Sequence, residues 1–214
     1  MKKQNDHATR KLERLQLYLK ILYKLQNQGR VLISSSQLAK EIDYSEEQIR
    51  KDFQLIATKQ GKPGVGRRID DIVADLEEYL GYKKVSNAVV IGVGNLGGAI
   101  LRYEGFANYG LNVLAGFDID NSKIGTVIND KPIFSIDNLE KYIPTLDVNI
   151  AILTVGKENA LEIAQRLVKA GIQGILNFVP IHLEIDEGVI VQNMDLAASL
   201  SILAHKVKNK LNND

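Results

Sequence analysis

The feature that constrains this chain most is a glycine-rich turn between two short apolar segments. The turn, Gly92-Val93-Gly94-Asn95-Leu96-Gly97, follows the apolar run 88–91 and leads into a helical pattern. A second apolar run, 111–117, comes next and ends on Asp118, 21 residues past Gly97. A strand, a turn of this type, a helix and a second strand with a terminal acid form the setting in which Gly-x-Gly-x-x-Gly binds a dinucleotide.

Each position of the turn has its own physical role. Gly92 permits the tight turn, Gly94 lets a pyrophosphate approach the backbone, and Gly97 lets the helix pack close to the strand. The first N–H groups of the helix and its positive dipole end face the phosphates. The carboxylate of Asp118 can accept hydrogen bonds from ribose hydroxyls and repels a 2′-phosphate, which favours NAD(H) over NADP(H). The alternative for the glycines alone is an ordinary surface turn.

Charge divides the chain near residue 68. Residues 1–68 contain 15 Lys and Arg against 7 Asp and Glu, whereas residues 69–214 contain 12 against 19. The net charges of +8 and −7 add up to the +1 of the whole chain. A basic front part is typical of a protein that binds a polyanion, and a merely solvated charged surface is the alternative.

The front part contains the pattern of a helix-turn-helix. Leucines at spacings of three and four predict an amphipathic helix over 8–28, after a polar tail at 1–7. A short helix over 37–42 follows, and the next helix begins after Ser45, where Gln48 completes a capping box. Two short helices across a tight turn, the second with a polar and basic outer side, form a helix-turn-helix.

A basic, glycine-rich segment follows the second of these helices. Residues 58–68 contain three glycines, one proline and four cations, which is typical of a short flexible hairpin. After a recognition helix such a hairpin forms the wing of a winged helix, and its cations reach phosphates or the minor groove. A surface loop with solvated lysines is the alternative. The predicted DNA-contacting residues are Ser45, Gln48, Arg50, Lys51, Gln54, Lys59, Lys62, Arg67 and Arg68.

Strands and helices alternate behind this segment, which predicts an α/β fold with two domains. A winged helix-turn-helix domain at 1–84 precedes a Rossmann-like parallel-sheet domain at 85–214, whose ligands bind at the carboxyl ends of the strands. After residue 118, strands are predicted at 148–154, 172–178 and 189–192, and helices at 137–143, 159–170 and 196–208.

Composition limits the kinds of metal site that the chain can form and indicates where in the cell it is found. The chain has no cysteine and three scattered histidines, so we expect no metal site. No apolar run approaches the roughly 18–20 residues of a membrane helix, and the lysine-rich start lacks the apolar stretch of a secretory signal. A cytoplasmic protein is therefore expected.

The joint order of these motifs resembles the Rex family of redox-sensing transcriptional repressors, over nearly the whole chain. The matching stretches are Leu15-Gln16-Leu17-Tyr18-Leu19, Gln48-Ile49-Arg50-Lys51-Asp52, Gly64-Val65-Gly66, the turn 92–97, and the segment from Gly171 to Pro180. The resemblance implies a homodimer with an operator-binding front domain, an NAD(H)-binding rear domain and a C-terminal helix that swaps into the partner subunit. It also implies that NADH releases an inverted-repeat operator, so that genes of fermentation and anaerobic respiration are derepressed when the NADH/NAD⁺ ratio rises.

Three positions depart from the family pattern. The wing has Arg67 where the family usually has tyrosine, and Pro63 where a basic residue is expected. The first helix has Lys20 at a position that is often arginine, and lysine lacks the bidentate geometry of arginine.

A difference in charge can explain why the protein would prefer the reduced coenzyme. Oxidised nicotinamide is a cation, so its desolvation in an apolar pocket is costly, whereas reduced nicotinamide is neutral. We expect such a pocket from Tyr103, Phe106, Phe178 and the partner's terminal helix, with Tyr103 one to two turns into the helix after the glycine turn. The resemblance places Asp195 near the nicotinamide together with Tyr103. The alternative for Tyr103 is ordinary core packing, and the alternative for Asp195 is helix capping. The predicted coenzyme-contacting residues are Gly92, Val93, Gly94, Asn95, Leu96, Gly97, Tyr103, Asp118, Lys123, Ile124, Thr154, Val155, Phe178 and Asp195.

Two other functions compete with this interpretation. An NAD-dependent dehydrogenase needs a second domain for its substrate, but residues 85–214 are about the size of a bare nucleotide domain, and His182 is the one nearby candidate for proton transfer. We therefore expect no enzyme. A winged-helix regulator that senses coenzyme A or another nucleotide is the second competitor, and Asp118 argues instead for a ribose with a free 2′-hydroxyl.

Overall fold

The computed structural model describes residues 2–58, 66–185 and 188–212, and for residues 2–7 it describes the backbone alone. The chain divides into two compact units, Met1–Lys84 and Val85–Asp214, which we call the N-terminal unit and the C-terminal unit.

The described part of the N-terminal unit consists of helices and a two-stranded sheet. The helices are α1 (Lys2–Asn27), α2 (Ser35–Glu41), α3 (Glu46–Ile56) and α4 (Ile69–Tyr79), and the strands are β1 (Leu32–Ile33) and β2 (Arg67–Arg68). The strands pair antiparallel, with Leu32 opposite Arg68. Residues 59–65 lie outside the described residues, and so does most of the predicted wing hairpin.

Apolar periodicity explains the packing of these helices. Leu15, Leu19, Leu22 and Leu25 of α1 are buried in one core, as predicted, whereas Leu12 is exposed. The predicted polar tail is wrong for residues 2–7, whose backbone already belongs to α1. Polar residues such as lysine and glutamine have favourable helix propensities and can extend a packed helix without contributing to its apolar face.

The capping box lies on a different helix from the one predicted. On α2, Ser34 Oγ accepts from the Gln37 N–H, and Gln37 Oε1 accepts from the Ser34 N–H. On α3, Ser45 Oγ accepts from the Gln48 N–H at 3.2 Å, but the Gln48 side chain donates to Asp52 instead of returning to Ser45. The predicted box on α3 is therefore only half present.

The C-terminal unit is built on a seven-stranded sheet. Its strands are β3 (Ser86–Ile91), β4 (Leu111–Asp118), β5 (Val127–Ile128), β6 (Lys131–Ser135), β7 (Ile150–Leu153), β8 (Gly174–Asn177) and β9 (Ile190–Asn193). Its helices are α5 (Asn95–Arg102), α6 (Leu139–Thr145), α7 (Lys157–Lys169) and α8 (Leu196–Leu211), with short 3₁₀ segments at Gly105–Tyr109 and Ile136–Asn138. The spatial order is β5-β6-β4-β3-β7-β8-β9, and all pairs are parallel except β5 with β6.

The sequence reasoning missed two of these strands, β5 and β6. They form a hairpin through Asn129 and Asp130, both with positive φ, which is the backbone of a tight two-residue hairpin turn. A two-residue strand and a five-residue strand that contains Pro132 give little periodicity to detect. The predicted helix at 137–143 is α6, which starts only at Leu139 because 136–138 form a 3₁₀ turn.

The strand order creates a crevice at the carboxyl ends of β3 and β7. From β3 the chain builds outward on one side through β4 and β6, and it then returns to the other side of β3 with β7. Such a reversal is the topological switch point at which open parallel sheets bind ligands. Backbone bonds from Gly92 N to Phe117 O and from Thr154 N to Ile91 O close the strand ends around this crevice.

Candidate functional site

The glycine turn 92–94 leaves β3 at this crevice and enters α5. Gly92 has φ +89°, and a Cβ there would lie 2.8 Å from Thr154 O. A Cβ on Gly97 would overlap the carbonyl oxygen of Gly92, so both glycines are required by close backbone contacts. Gly94 is exposed, and a Cβ on it would meet no described atom within 4 Å. The fold itself therefore does not require the middle glycine, and space for a ligand remains at that position.

The N-terminus of α5 begins directly at this turn. Its N-cap is Gly94, which offers no side-chain acceptor to the first turn, and the Gly98 N–H to Gly94 carbonyl bond closes that turn. The first N–H groups of a helix have no intrahelical acceptor, and together with the helix dipole they attract an anion.

Asp118, the last residue of β4, is tied to the glycine turn. Its Oδ2 accepts from the Val93 N–H at 2.6 Å and from Lys123 Nζ at 3.3 Å, and its Oδ1 accepts from the Asp120 N–H at 2.9 Å. Only 6% of the residue is exposed. A carboxylate has about four acceptor sites, so a single one remains at Oδ1 for a ribose hydroxyl.

The contacts of Asp118 stabilise its charged form. Burial alone would raise the pKa of this carboxyl, but the N–H bonds from Asp120 and Val93, together with Lys123, lower it below the usual value. Lys123 also lies 3.5 Å from Asp120, so these three side chains have a net charge of −1. Ile124 follows in the same loop and is half-buried.

Thr154 supports the turn from β7. Its Oγ1 lies 2.7 Å from Gly92 O and 3.0 Å from Ile91 O, so its proton is donated to backbone carbonyls. The Val155 side chain lies at the position that a Cβ on Gly92 would meet. The structure thus brings Thr154, Val155 and Asp118 together around Gly92 and Val93. The direct ligand contacts predicted for Thr154 and Val155 stay predictions.

A second group of predicted residues lines a cavity of about 460 Å³. Leu96 at the start of α5, Phe178 after β8 and Asp195 before α8 all contribute to it, together with His182. Asp195 is the N-cap of α8 and accepts from the Ala198 N–H at 2.8 Å. Asp195 therefore caps a helix, as the alternative interpretation expected. A contact between Asp195 and a coenzyme stays a prediction.

Tyr103 is not where the sequence reasoning placed it. Helix α5 ends at Arg102, and Tyr103 is its extended C-cap, 56% exposed and in edge contact with Phe106 at 4.9 Å between ring centroids. Gly105 leaves room for the Tyr103 ring, because a Cβ there would overlap it. The described residues that line the cavity do not include Tyr103.

Asn177 at the end of β8 belongs to this region and was not predicted as a site residue. It is almost fully buried, and its Nδ2 donates to Asn193 Oδ1 and Ile181 O while its Oδ1 accepts from the Val179 N–H. It therefore fixes the loop that carries Phe178. Its position at the carboxyl end of a predicted strand was the available signal.

Helix α3 presents a polar face on the N-terminal unit. Ile49, Asp52, Phe53 and Ile56 are buried, which leaves Arg50, Lys51 and Gln54 on the exposed side, as the sequence predicted. Lys51 Nζ lies 2.8 Å from Glu47, and both side chains are 65% exposed. A pair this exposed is weak and can reopen when a stronger anion approaches.

The remaining predicted DNA residues lie at the start of α3 and around the wing. Ser45 is occupied as an N-cap, and Arg68 pairs with Asp70 at 3.1 Å. Arg67 is half-buried in β2. Lys59 and Lys62 lie outside the described residues.

The buried Asp52 forms a network that the sequence reasoning missed. Arg14 of α1 donates to both of its oxygens, at 2.6 Å to Oδ2 and 2.9 Å to Oδ1. Tyr18 donates to Oδ2 and Gln48 to Oδ1. Burial opposes the charge of Asp52, but these donors outweigh it and lower its pKa. Arg14 and Asp52 lie 38 residues apart, so no local pattern could reveal the pair.

Two properties of the described residues limit other kinds of site. They contain no group of three or more His, Cys, Asp or Glu side chains arranged to hold a metal ion. Among them, no helix combines the length and the apolar character needed to cross a bilayer.

Comparison with known proteins gives family matches in both units. Residues 83–181 match the CoA binding domain family, and residues 9–54 match the family described as "Putative DNA-binding protein N-terminus". The solved structures that resemble the chain include RSP in complex with β-NAD⁺ and operator DNA, at a TM-score of 0.88 and 33% identity, over 94% of this chain and 93% of that one. RSP in complex with β-NADH gives a TM-score of 0.82 at 32% identity, with the same coverage of both chains.

Curated relatives match over almost the entire length. The redox-sensing transcriptional repressor Rex of Bacteroides fragilis is 37% identical over 92% of this chain and 89% of its own. Rex of Treponema denticola is 37% identical over 98% of this chain and 100% of its own, and Rex of Bacillus subtilis is 36% identical over 92% of this chain and 90% of its own. The chain therefore belongs to the Rex family of redox-sensing transcriptional repressors.

Proposed function

We propose that this protein is a DNA-binding transcriptional repressor that senses the NADH/NAD⁺ ratio and releases its operator when it binds NADH. The observation that carries the proposal is the glycine turn at the switch point of the sheet, held to the buried carboxylate of Asp118 through Val93. The relatives named Rex and the RSP complexes with β-NAD⁺, β-NADH and operator DNA support it.

In this proposal the C-terminal unit holds the coenzyme across the crevice. The pyrophosphate lies over Gly94 and the N-terminus of α5, and the adenosine ribose bonds to the remaining acceptor site of Asp118. Ile124 and Lys123 lie beside the adenosine, and Phe178 and Asp195 lie towards the nicotinamide. The negative charge of the Asp118 cluster disfavours a 2′-phosphate, so the ligand is NADH or NAD⁺ and not a phosphorylated form.

The redox preference follows from the apolar side of the nicotinamide site. Phe106 and Phe178 are both half-buried and pack against the same apolar core, which includes Val90 and Leu101. Removing a cation from water into such surroundings is costly, and the neutral reduced ring avoids this cost. NADH therefore binds this site more tightly than NAD⁺ does. It releases the operator because it binds one conformation of the protein better than the other, since a ligand with equal affinity for both shifts nothing.

DNA binding is assigned to the N-terminal unit. Arg50, Lys51 and Gln54 on the exposed face of α3 enter the major groove, and the wing cations, including Lys59 and Lys62, contact phosphates. The Lys51–Glu47 pair opens on binding, because both members are exposed and a phosphate competes for the lysine.

A homodimer completes the protein. Helix α8 carries a stripe of exposed apolar side chains, and Leu200 is 67% exposed. Contiguous apolar surface of this kind marks an interaction site, and we assign it to a second copy of the chain, into which α8 swaps. A twofold-symmetric dimer binds an inverted repeat whose half-site spacing matches its two wings. The stripe consists of Leu196, Leu200, Leu203, Val207 and Leu211.

Coenzyme A is a second candidate ligand, because the C-terminal unit matches the CoA binding domain family over residues 83–181. Adenosine in coenzyme A carries a 3′-phosphate next to the hydroxyl that Asp118 would bind, and the carboxylate disfavours that charge. We therefore assign the site to NADH. A catalytic role is not part of the proposal, and we place the action of the protein on DNA in the cytoplasm.

The test is an operator-binding titration with the full-length protein. A duplex is selected from a palindromic library, and its affinity is measured by fluorescence anisotropy with NADH, NAD⁺ or coenzyme A. We expect NADH to weaken binding at least tenfold, while NAD⁺ and coenzyme A change it less than threefold. Equal effects of NADH and NAD⁺, or an effect of coenzyme A alone, would contradict the proposal.

A further inference from the structure

The Asp52 network holds the side chain of Gln48, a residue at the N-terminal end of α3. Gln48 lies in the first turn of α3, and the N-terminal residues of a recognition helix are those that contact base edges. Its side chain is half-buried, and its Nε2 lies 3.1 Å from Asp52 Oδ1. The inference drawn from this contact rests on the proposed DNA-binding function.

The chemistry of Asp52 permits only one orientation of the Gln48 amide. An ionised carboxylate accepts hydrogen bonds and donates none, so the amide nitrogen must face Asp52. In the reversed orientation the amide oxygen would lie against Oδ1, and two acceptors would oppose each other. The carboxylate itself cannot turn away, because Arg14 holds both of its oxygens in a bidentate contact.

The donors around Asp52 also occupy all of its acceptor sites. Oδ1 accepts from Arg14 and Gln48, and Oδ2 accepts from Arg14 and Tyr18. These four donors fill the about four acceptor sites of a carboxylate. Among the described residues, no group donates to Gln48 Oε1, so this oxygen is an unoccupied hydrogen-bond acceptor.

We infer that Gln48 is a specificity-determining residue whose amide oxygen is presented to the major groove, with Asp52, Arg14 and Tyr18 as positioning residues. In the major groove adenine offers its N6 amino group and cytosine its N4 amino group as donors. Guanine presents only acceptors there, and thymine presents an acceptor and a methyl group. The second Nε2 hydrogen of Gln48 can donate to a base acceptor such as N7 of the same adenine. Gln48 therefore favours a base with an amino group at one position of each half-site over guanine and thymine, which can engage only that hydrogen.

The experiment deletes single amino groups from the DNA. In an operator selected with the full-length protein, each adenine is replaced in turn by purine and each cytosine by pyrimidin-2-one, which lack the exocyclic amino group. At one position per half-site we expect binding by the native protein to weaken about five- to a hundredfold, the range of a specific base contact. The Gln48→Ala variant should bind more weakly overall but show no response at that position.

Two results would overturn the inference. One is a Gln48→Ala variant that responds to every amino deletion as the native protein does, which would mean that Gln48 reads no amino group. The other is a Gln48-dependent position that responds to the loss of a guanine acceptor, tested with 7-deazaguanine. If the protein selects no operator at all, the proposed DNA-binding function itself fails, which distinguishes the two failures.

The positioning role of Asp52 is tested by the double variant Arg14→Gln/Asp52→Asn, which avoids an unpaired buried charge. An asparagine can turn either its oxygen or its nitrogen towards Gln48, so the preferred orientation is lost. At the Gln48-dependent position we expect the discrimination between adenine and guanine to fall at least fivefold, while affinity for non-specific DNA stays within twofold. Unchanged discrimination in a variant with native non-specific affinity would show that Asp52 does not position Gln48.

Discussion

Replacing Asp118 with serine tests how the glycine turn is held. Serine is too short to reach the N–H groups of Val93 and Asp120, which the carboxylate now accepts at 2.6 Å and 2.9 Å. A hydrogen bond to a charged group contributes about 1.5–3 kcal/mol. The hydrogen bond from Val93 is buried, so we assign it this full contribution. Water can reach the half-buried hydrogen bond from Asp120, so we assign that bond less than half of the contribution. The expected loss in unfolding free energy is about 2–4 kcal/mol.

The same change should weaken coenzyme binding. Without its anchor, the turn must be ordered when the pyrophosphate binds, and that cost reduces the binding free energy. Because about 1.4 kcal/mol corresponds to a factor of ten, we expect the NADH dissociation constant of Asp118→Ser to rise at least tenfold. The affinity for NADPH should fall less than the affinity for NADH, because the substitution also removes a negative charge beside the ribose. Chemical unfolding followed by circular dichroism and calorimetric titration of both coenzymes measure these effects.

Lys123→Gln is the matched control. It removes the ion pair at 3.3 Å but leaves both backbone bonds of Asp118 in place. Lys123 is partly exposed to water, which screens its pair with Asp118, so we expect stability to fall by no more than about 1 kcal/mol. NADH affinity should stay within about fivefold of the native value. The reasoning is refuted if Asp118→Ser binds NADH with native affinity, or if Lys123→Gln costs as much as Asp118→Ser.

Three further outcomes follow from particular contacts. Gly97→Ala places a methyl group against the Gly92 carbonyl, so operator binding should persist but no longer respond to NADH in an anisotropy assay; a native response would contradict this. Leu203→Glu on the apolar stripe of α8 should yield a monomer in light scattering, whereas Asn209→Asp on the opposite side should remain a dimer; a dimeric Leu203→Glu would exclude α8 from the interface. The lowered pKa of Asp52 stabilises the folded protein at pH values above the unfolded pKa of about 3.9. This stability is lost as the pH falls through the lower pKa of the folded state. The loss of stability below about pH 4 should therefore be less steep in Arg14→Gln/Asp52→Asn, which lacks this carboxyl.

Local sequence rules predicted the features that depend on local geometry. The positive φ of Gly92 and the close approach of Gly97 to the backbone are steric requirements that only glycine meets, so the spacing of the turn revealed them. The leucine spacing of α1 and the inner face of α3 were confirmed for the same reason, because a helix has a fixed period. The match of the chain to Rex-family structures confirmed the order of the two folds.

Contacts between distant residues could not be predicted in this way. Nothing in the local pattern pairs Arg14 with Asp52, and nothing indicated that the Gln48 side chain would turn to Asp52 and abandon its capping box. The extended backbone of Tyr103 was not predicted, because periodicity does not show at which residue a helix ends. The net charge of residues 1–68 also does not show which cations are free to meet DNA, since Arg14 is held by the buried Asp52.

The central claim is that coenzyme and operator favour different conformations of one dimer, and the NADH dissociation constant measured with and without operator tests it most directly. Linkage requires each ligand to change the affinity of the other by the same factor. We predict that saturating operator raises the NADH dissociation constant by the factor, at least tenfold, by which NADH weakens operator binding, and that NAD⁺ shows a smaller effect. An NADH dissociation constant that is the same with and without operator would contradict the account.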